Sequence, residues 1–232
     1  MTLAEISVPL LLSLKVAGWA TFFATVLGIA VAFGLARWRS SWCDVLDSIL
    51  TLPMVLPPTV IGYYLLVVLG RRGWLGQFLA RWDIELVFTW QGAVIAATVV
   101  AFPLVLKSAR AAFQDVSHQL ENAGRLLGVS EAAIFFRITL PLAARGILAG
   151  VLLAFARALG EFGATLMLAG SIPGRTQTLS IAIYEAVQGG NDDLANILVL
   201  ITSAVCIIVL LVASRLSPTQ RRGSSVSSRG VL

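Results

Sequence analysis

Charge is scarce in this chain of 232 residues: 12% are Asp, Glu, Lys or Arg, while 58% are hydrophobic. A soluble domain carries about 25% charged residues. So little polar surface cannot clothe a water-soluble globule, which leaves a helical bundle in lipid. Histidine occurs once, at His118, so an HExxH helix, a histidine-based metal site and a Ser-His-Asp triad are all excluded. Lysine occurs only at Lys15 and Lys107, neither of which follows a glycine. The phosphate-cradling G-x-x-x-x-G-K-[ST] loop is therefore missing, and any ATP hydrolysis belongs to another chain. The two cysteines, Cys43 in a short polar loop and Cys206 in an apolar run, have neither the spacing nor the neighbours of a disulfide or a metal site. No metal or cofactor of its own is expected.

What the chain has is long uncharged runs. Val16–Ala36, Leu86–Leu106 and Leu194–Ser214 each span 21 residues, and Ser48–Gly70 spans 23. Each meets the roughly 20 residues a helix needs to cross about 30 Å of hydrocarbon. A further crossing begins near Ile138–Pro141 and runs through the apolar stretch 146–156, but it holds Arg145 and Arg157 and meets Glu161. An ionised group at mid-bilayer costs about 2.5–3.5 kcal/mol on the lenient insertion scale, so this helix belongs inside a bundle. Arg157 and Glu161 are four apart, on one helical face, and can pair. The stretch 162–174 is too short and too rich in Gly and Pro for another crossing, and is read as the end of that span and a loop. The expected fold is an all-α integral membrane protein of five spans, near 10–36, 48–70, 86–106, 139–165 and 194–214, with six as the alternative.

Basic residues orient the bundle. With the N-terminus outside, ten Arg and Lys fall on the cytoplasmic side (Arg37, Arg39, Lys107, Arg110, Arg125, Arg137, Arg215, Arg221, Arg222, Arg229) and four outside (Arg71, Arg72, Arg81, Arg175). The positive-inside rule gives N-out, C-in. The net charge of +5 calls for no nucleic-acid partner, because these residues flank apolar runs and form no stripe. Ala30-Val31-Ala32 has the look of a signal-peptidase site, but no Lys or Arg precedes Lys15, so the first run is expected to stay as a span. The polar, Ser-rich segment 217–232 is expected to be a disordered cytoplasmic tail.

Between the third and fourth spans, residues 115–137 are amphipathic. Asp115 and Ser117 are helix-start candidates, and Leu120, Ala123 and Leu127 recur on one face. Gly128 stands where a helix would end in the left-handed conformation. Ser130 can cap a second short helix, and Pro141 suits the first turn of the next span. Such a helix-turn-helix lies along the membrane with an apolar face uncovered. That face rests on lipid or seats in a partner's groove.

The residues themselves favour the partner. Glu121, Ala123, Gly128, Ile138, Leu140 and Pro141 resemble the signature of permease subunits of binding-protein-dependent ABC importers. The G-x9-I-x-L-P half matches in full. In the other half the acid sits one residue early, since the positions counted back from Gly128 read Asn122-Ala123-Gly124. One residue is about 100° of helix rotation. The stretches 50–76 and 155–179 are similar to the second span and the fourth span, each with its following loop, of molybdate permeases; sulfate permeases share related segments. The resemblance implies one importer transmembrane domain over 1–216, in the bacterial inner membrane, with 115–137 as the segment that couples to an ATPase. It also implies a second copy of the permease, two ATPase subunits carrying ATP and Mg, a periplasmic molybdate-binding protein, and molybdate or tungstate as cargo. A sulfate or thiosulfate permease is the alternative.

Pro53, Pro57 and Pro58 break helix regularity inside one uncharged run, which is tolerated at membrane depth only beside protein or a water path. They either kink a packing helix or line a pathway. Gly160, Gly163 and Gly170 permit close helix approach, with Gly163 also a gate candidate. Arg157 and Glu161 are expected to form a structural ion pair, because an acid bared to the pathway would repel an oxyanion. A membrane-embedded enzyme would need a convergent catalytic set within the bilayer, where Arg145, Arg157 and Glu161 are the charged residues. A mere scaffold would leave the 128–141 pattern unexplained.

Overall fold

A computed structural model describes residues 3–37 and 42–216; Arg39 and the segment 217–232 lie outside the described residues. Those described are helical or irregular, with no strand among them. Helix α1 runs over Leu3–Arg37 and α5 over Trp90–Gln114. They pack along a stripe of fully buried alanines, Ala17, Ala20 and Ala24 against Ala93, Ala97 and Ala101. Gly28 belongs to the same seam, since a Cβ there would stand 2.8 Å from Val105 Cγ1. Lipid supplies no hydrophobic drive between helices, so small residues that admit close backbones hold such a pair.

Between them lie α2 (Trp42–Val55), α3 (Pro58–Leu69) and the short α4 (Trp74–Ala80). After α5 come α6 (His118–Leu126) and α7 (Glu131–Ile134), which passes through a wider π turn at Phe135–Thr139 into α8 (Leu140–Leu159). The chain closes with α9 (Gly163–Ala169), α10 (Leu179–Gln188) and α11 (Asp192–Leu216). Four stretches are long and apolar enough to cross a membrane: Glu5–Arg37, Trp90–Gln114, Glu131–Leu159 and Asp192–Val212. The pair α2 and α3 makes a fifth when taken as one span, bent by 110°. The end of α1, α6 and the start of α8 meet at one pole; α4, the start of α5 and the loop before α11 lie towards the other.

Two departures from the sequence expectation carry physical reasons. The uncharged run at 48–70 is not one helix. Leu56 N–H closes α2 on Leu52 O, Pro57 is extended (φ −54°, ψ 136°), and Pro58 starts α3 without a backbone donor. The fourth span also stops earlier than expected, at Leu159. Gly160 to Phe162 leave the helix, α9 starts afresh, and Gly170 ends it at φ +66°, a value that favours glycine.

Candidate functional site

The helix-turn-helix at the α6 pole is built as its residues predict at most positions. Ser117 precedes α6 in extended conformation, whereas Asp115 closes α5 and starts nothing. Gly128 has φ +75°. Its N–H donates to Arg125 O at 3.0 Å and the Val129 N–H to Gly124 O at 3.1 Å, the paired bonds that let a left-handed glycine finish a helix. Ser130 Oγ accepts from Ala133 N–H and starts α7, and Pro141 falls in the first turn of α8.

The two faces of α6 are unlike. Leu120, Leu126 and Leu127 point outward with 49%, 89% and 81% of their surface exposed, and Ala123 is exposed beside them. Glu121 and Gly124 face the bundle and are buried. Gly124 is needed there, since a Cβ would stand 3.2 Å from Ile134 and 3.3 Å from Ile138, both from the segment leading into α8. Glu121 Oε1 takes Arg37 Nη2 at 2.5 Å from the end of α1, and Thr139 Oγ1 donates to it at 2.6 Å. Arg125 turns outward to Glu131 at 2.6 Å and to Asn122 Oδ1 at 2.8 Å. His118, mostly exposed, stands 3.7 Å from Glu121. Beneath α6 a cavity of about 270 Å³ lies between the ends of α1 and α5, with Phe33, Arg37, Arg110 and Thr139 in its wall. Leu140 packs partly buried below it. The bundle thus holds the acid and offers the leucines outward.

The second candidate region is where the broken helices meet. Gly163 opens α9 against the start of α3: a Cβ on it would lie 3.0 Å from Pro58 Cβ and 3.3 Å from Thr59 N. Gly62 does the same from the α3 side, where a Cβ would fall 2.7 Å from Met167 Cβ and 2.9 Å from Ala164 Cα. Gly62 was not singled out by the sequence; a glycine four residues after a proline pair was its only signal. Gly160 and Gly170 do not serve helix approach. The first meets only its own helix's Ala156 O, and the second makes a turn beside the Phe88 ring. Pro53 lies within α2 and Pro57 is exposed at the bend. Arg157 Nη1 and Glu161 Oε2 are 2.7 Å apart, and Glu161 Oε1 accepts from the Ala164 N–H at 2.8 Å, so the acid also holds the start of α9. Among the described residues no group of three or more His, Cys, Asp or Glu could hold a metal ion.

Residues 24–222 match the family of binding-protein-dependent transport system inner membrane components. The chain belongs to that family. It is accordingly a permease subunit of the inner membrane, and permease subunits are not themselves enzymes. Over 214 residues it is 46% identical to the molybdenum transport system permease protein ModB of Escherichia coli (strain K12), covering 91% of this chain and 93% of the relative. Identity to ModB of Haemophilus influenzae is 42% over 214 residues with the same coverage. Identity to the sulfate transport system permease protein CysW of Synechococcus elongatus is 34% over 202 residues, 87% of this chain and 71% of the relative. The fold of this family member is that of solved transporters. A chain of the inward-facing MetNI methionine ABC transporter superposes with a TM-score of 0.73 at 17% identity, covering 91% of this chain and 94% of that one. A chain of a bacterial alginate ABC transporter, solved with its pentasaccharide-bound periplasmic protein, gives 0.74 at 16% identity, covering 92% and 78%.

Proposed function

We propose that two copies of this chain form the pathway for molybdate through an ATP-driven importer. The observation that carries the reading is the 46% identity to a molybdenum permease across nine-tenths of both chains, against 34% to a sulfate permease. Tungstate, with the same charge and tetrahedral shape, follows the same path. A periplasmic binding protein delivers the oxyanion outside, and two ATPase subunits holding ATP and Mg close on the cytoplasmic side. The outward Leu120, Leu126 and Leu127 fill a groove on the ATPase, as an amphipathic helix does when its own chain leaves its apolar stripe bare. Arg37 and Thr139 hold α6 to the bundle through Glu121, so movement of α6 is transmitted to α1 and α8. The pathway holds its cargo weakly, because tight binding would stall release.

Co-expression with an importer ATPase and a molybdate-binding protein from the same organism tests this. The chain should co-purify with the ATPase, and molybdate-loaded binding protein should stimulate ATP hydrolysis. Stimulation by sulfate-loaded protein alone would transfer the assignment to a sulfate permease. Failure to retain any ATPase would remove the importer reading.

A further inference from the structure

The two partners of the ion pair between α8 and α9 are exposed very differently. The Glu161 side chain keeps 1% of its surface; its Oε1 accepts from the start of α9, and its Oε2 is ion-paired with Arg157 at 2.7 Å without an aligned hydrogen bond. The Arg157 side chain keeps 35% and meets no other carboxylate among the described residues. Its neighbours Ala158 and Leu159 share one buried cluster with Ala93 and Ala97 near the start of α5, and it lies two residues before the end of α8. An arginine within a membrane-crossing helix faces a bundle interior or a water-filled cavity, or reaches to the water interface, and does not end in lipid. Two half-helices begin beside it. The start of α9 is occupied by Glu161, and α3, held against it through Gly163, begins at Pro57 with no side-chain cap. Helix starts carry partial positive charge. The acid that would repel an oxyanion is thus buried and spent, while the cation is open.

We infer that Arg157 is the pathway residue that contacts the oxyanion in transit, presenting its guanidinium fork to a tetrahedral dianion. Glu161 fixes that fork and offsets its charge, so that the anion is held weakly enough to leave. The inference rests on the importer reading above. Arginine suits the task because its planar fork matches two oxygens of one oxyanion in a fixed geometry, where a lysine offers a point charge without that orientation.

The test uses the whole transporter, with its ATPase and binding protein, in proteoliposomes supplied with radiolabelled molybdate. In the double variant Arg157→Gln, Glu161→Gln both side chains are neutral, and the amide oxygen introduced at position 161 can still accept from Ala164. It should fold, keep ATP hydrolysis stimulated by loaded binding protein, and import molybdate at least tenfold more slowly. Wild-type uptake by the folded double variant would overturn the inference and restore a purely structural pair. The single variant Glu161→Gln should bind the cargo more tightly and turn over more slowly; unchanged kinetics there would also count against it. If the double variant does not fold, Arg157→Lys decides. A folded lysine variant with raised KM supports the contact, and one with wild-type KM and rate removes it. Wild-type protein that accumulates sulfate but not molybdate would sink the molybdate assignment alone, and the same variants would then be read with sulfate.

Discussion

At the scale of single residues, Glu121 shows how register decides role. The acid sits one position early relative to the family signature, and on the helix it turns into the bundle, where Arg37 and Thr139 satisfy it. Removing one member of a buried pair strands the other, at a cost of about 3–5 kcal/mol. Arg37 keeps 32% of its side chain exposed, so Glu121→Ala should fall towards the low end of that range. Glu121→Gln should lose less, since its amide oxygen still accepts from both partners. Thermal unfolding of the detergent-solubilised protein orders the variants, and equal losses would contradict this account of the pair. None of this was legible locally. The partners stand 84 and 18 residues from Glu121, and only the packing of α6 against α1 and the π turn unites them. The pairing of Arg157 with Glu161 was legible from their spacing of four, and it forms at 2.7 Å although Glu161 lies just past the end of α8.

At the scale of elements, turn chemistry was readable wherever a short-range rule governs it. Gly128 is the clearest case, with φ +75° and no atom within 4 Å of where its Cβ would be. The cost of a side chain there is purely conformational, about 1–2 kcal/mol for a left-handed residue, and falls least on asparagine. Gly128→Asn should therefore keep ATPase association and uptake, while Gly128→Val should insert in the membrane but lose association. Normal uptake by the valine variant would mean that α6 only rests on lipid. The prolines announced a break in the second uncharged run, but its 110° angle comes from where α3 must lie to meet α9. The separate start of α9 was not foreseen either, because it depends on Glu161 accepting from Ala164. Close packing at that junction gives a sharp contrast. Gly62→Ala pushes a Cβ onto the backbone of Ala164, and overpacking of this kind costs about 1–3 kcal/mol. Gly160→Ala meets only ordinary contact with its own helix at 3.6 Å. Folded yield should drop for the first and hold for the second.

For the whole molecule, low charge and uncharged runs already implied a bundle of about five crossings, and the fold agrees, with one crossing broken and two short helices, α4 and α10, between the crossings where the sequence reading placed no helix. The sidedness we propose rests on ten basic residues against four in the sequence. With Cys43 and Cys206 replaced, an impermeant thiol reagent applied outside should modify Gln77→Cys on α4 and spare Ala132→Cys on α7. Modification of both from one side would contradict that topology. The central claim, that this bundle conducts molybdate on behalf of an ATPase, is tested most directly by transport itself. Proteoliposomes holding the chain with its ATPase, given binding protein outside and ATP inside, should accumulate labelled molybdate, and excess tungstate should compete where sulfate does not. Accumulation without ATP, or of sulfate in place of molybdate, would contradict the account.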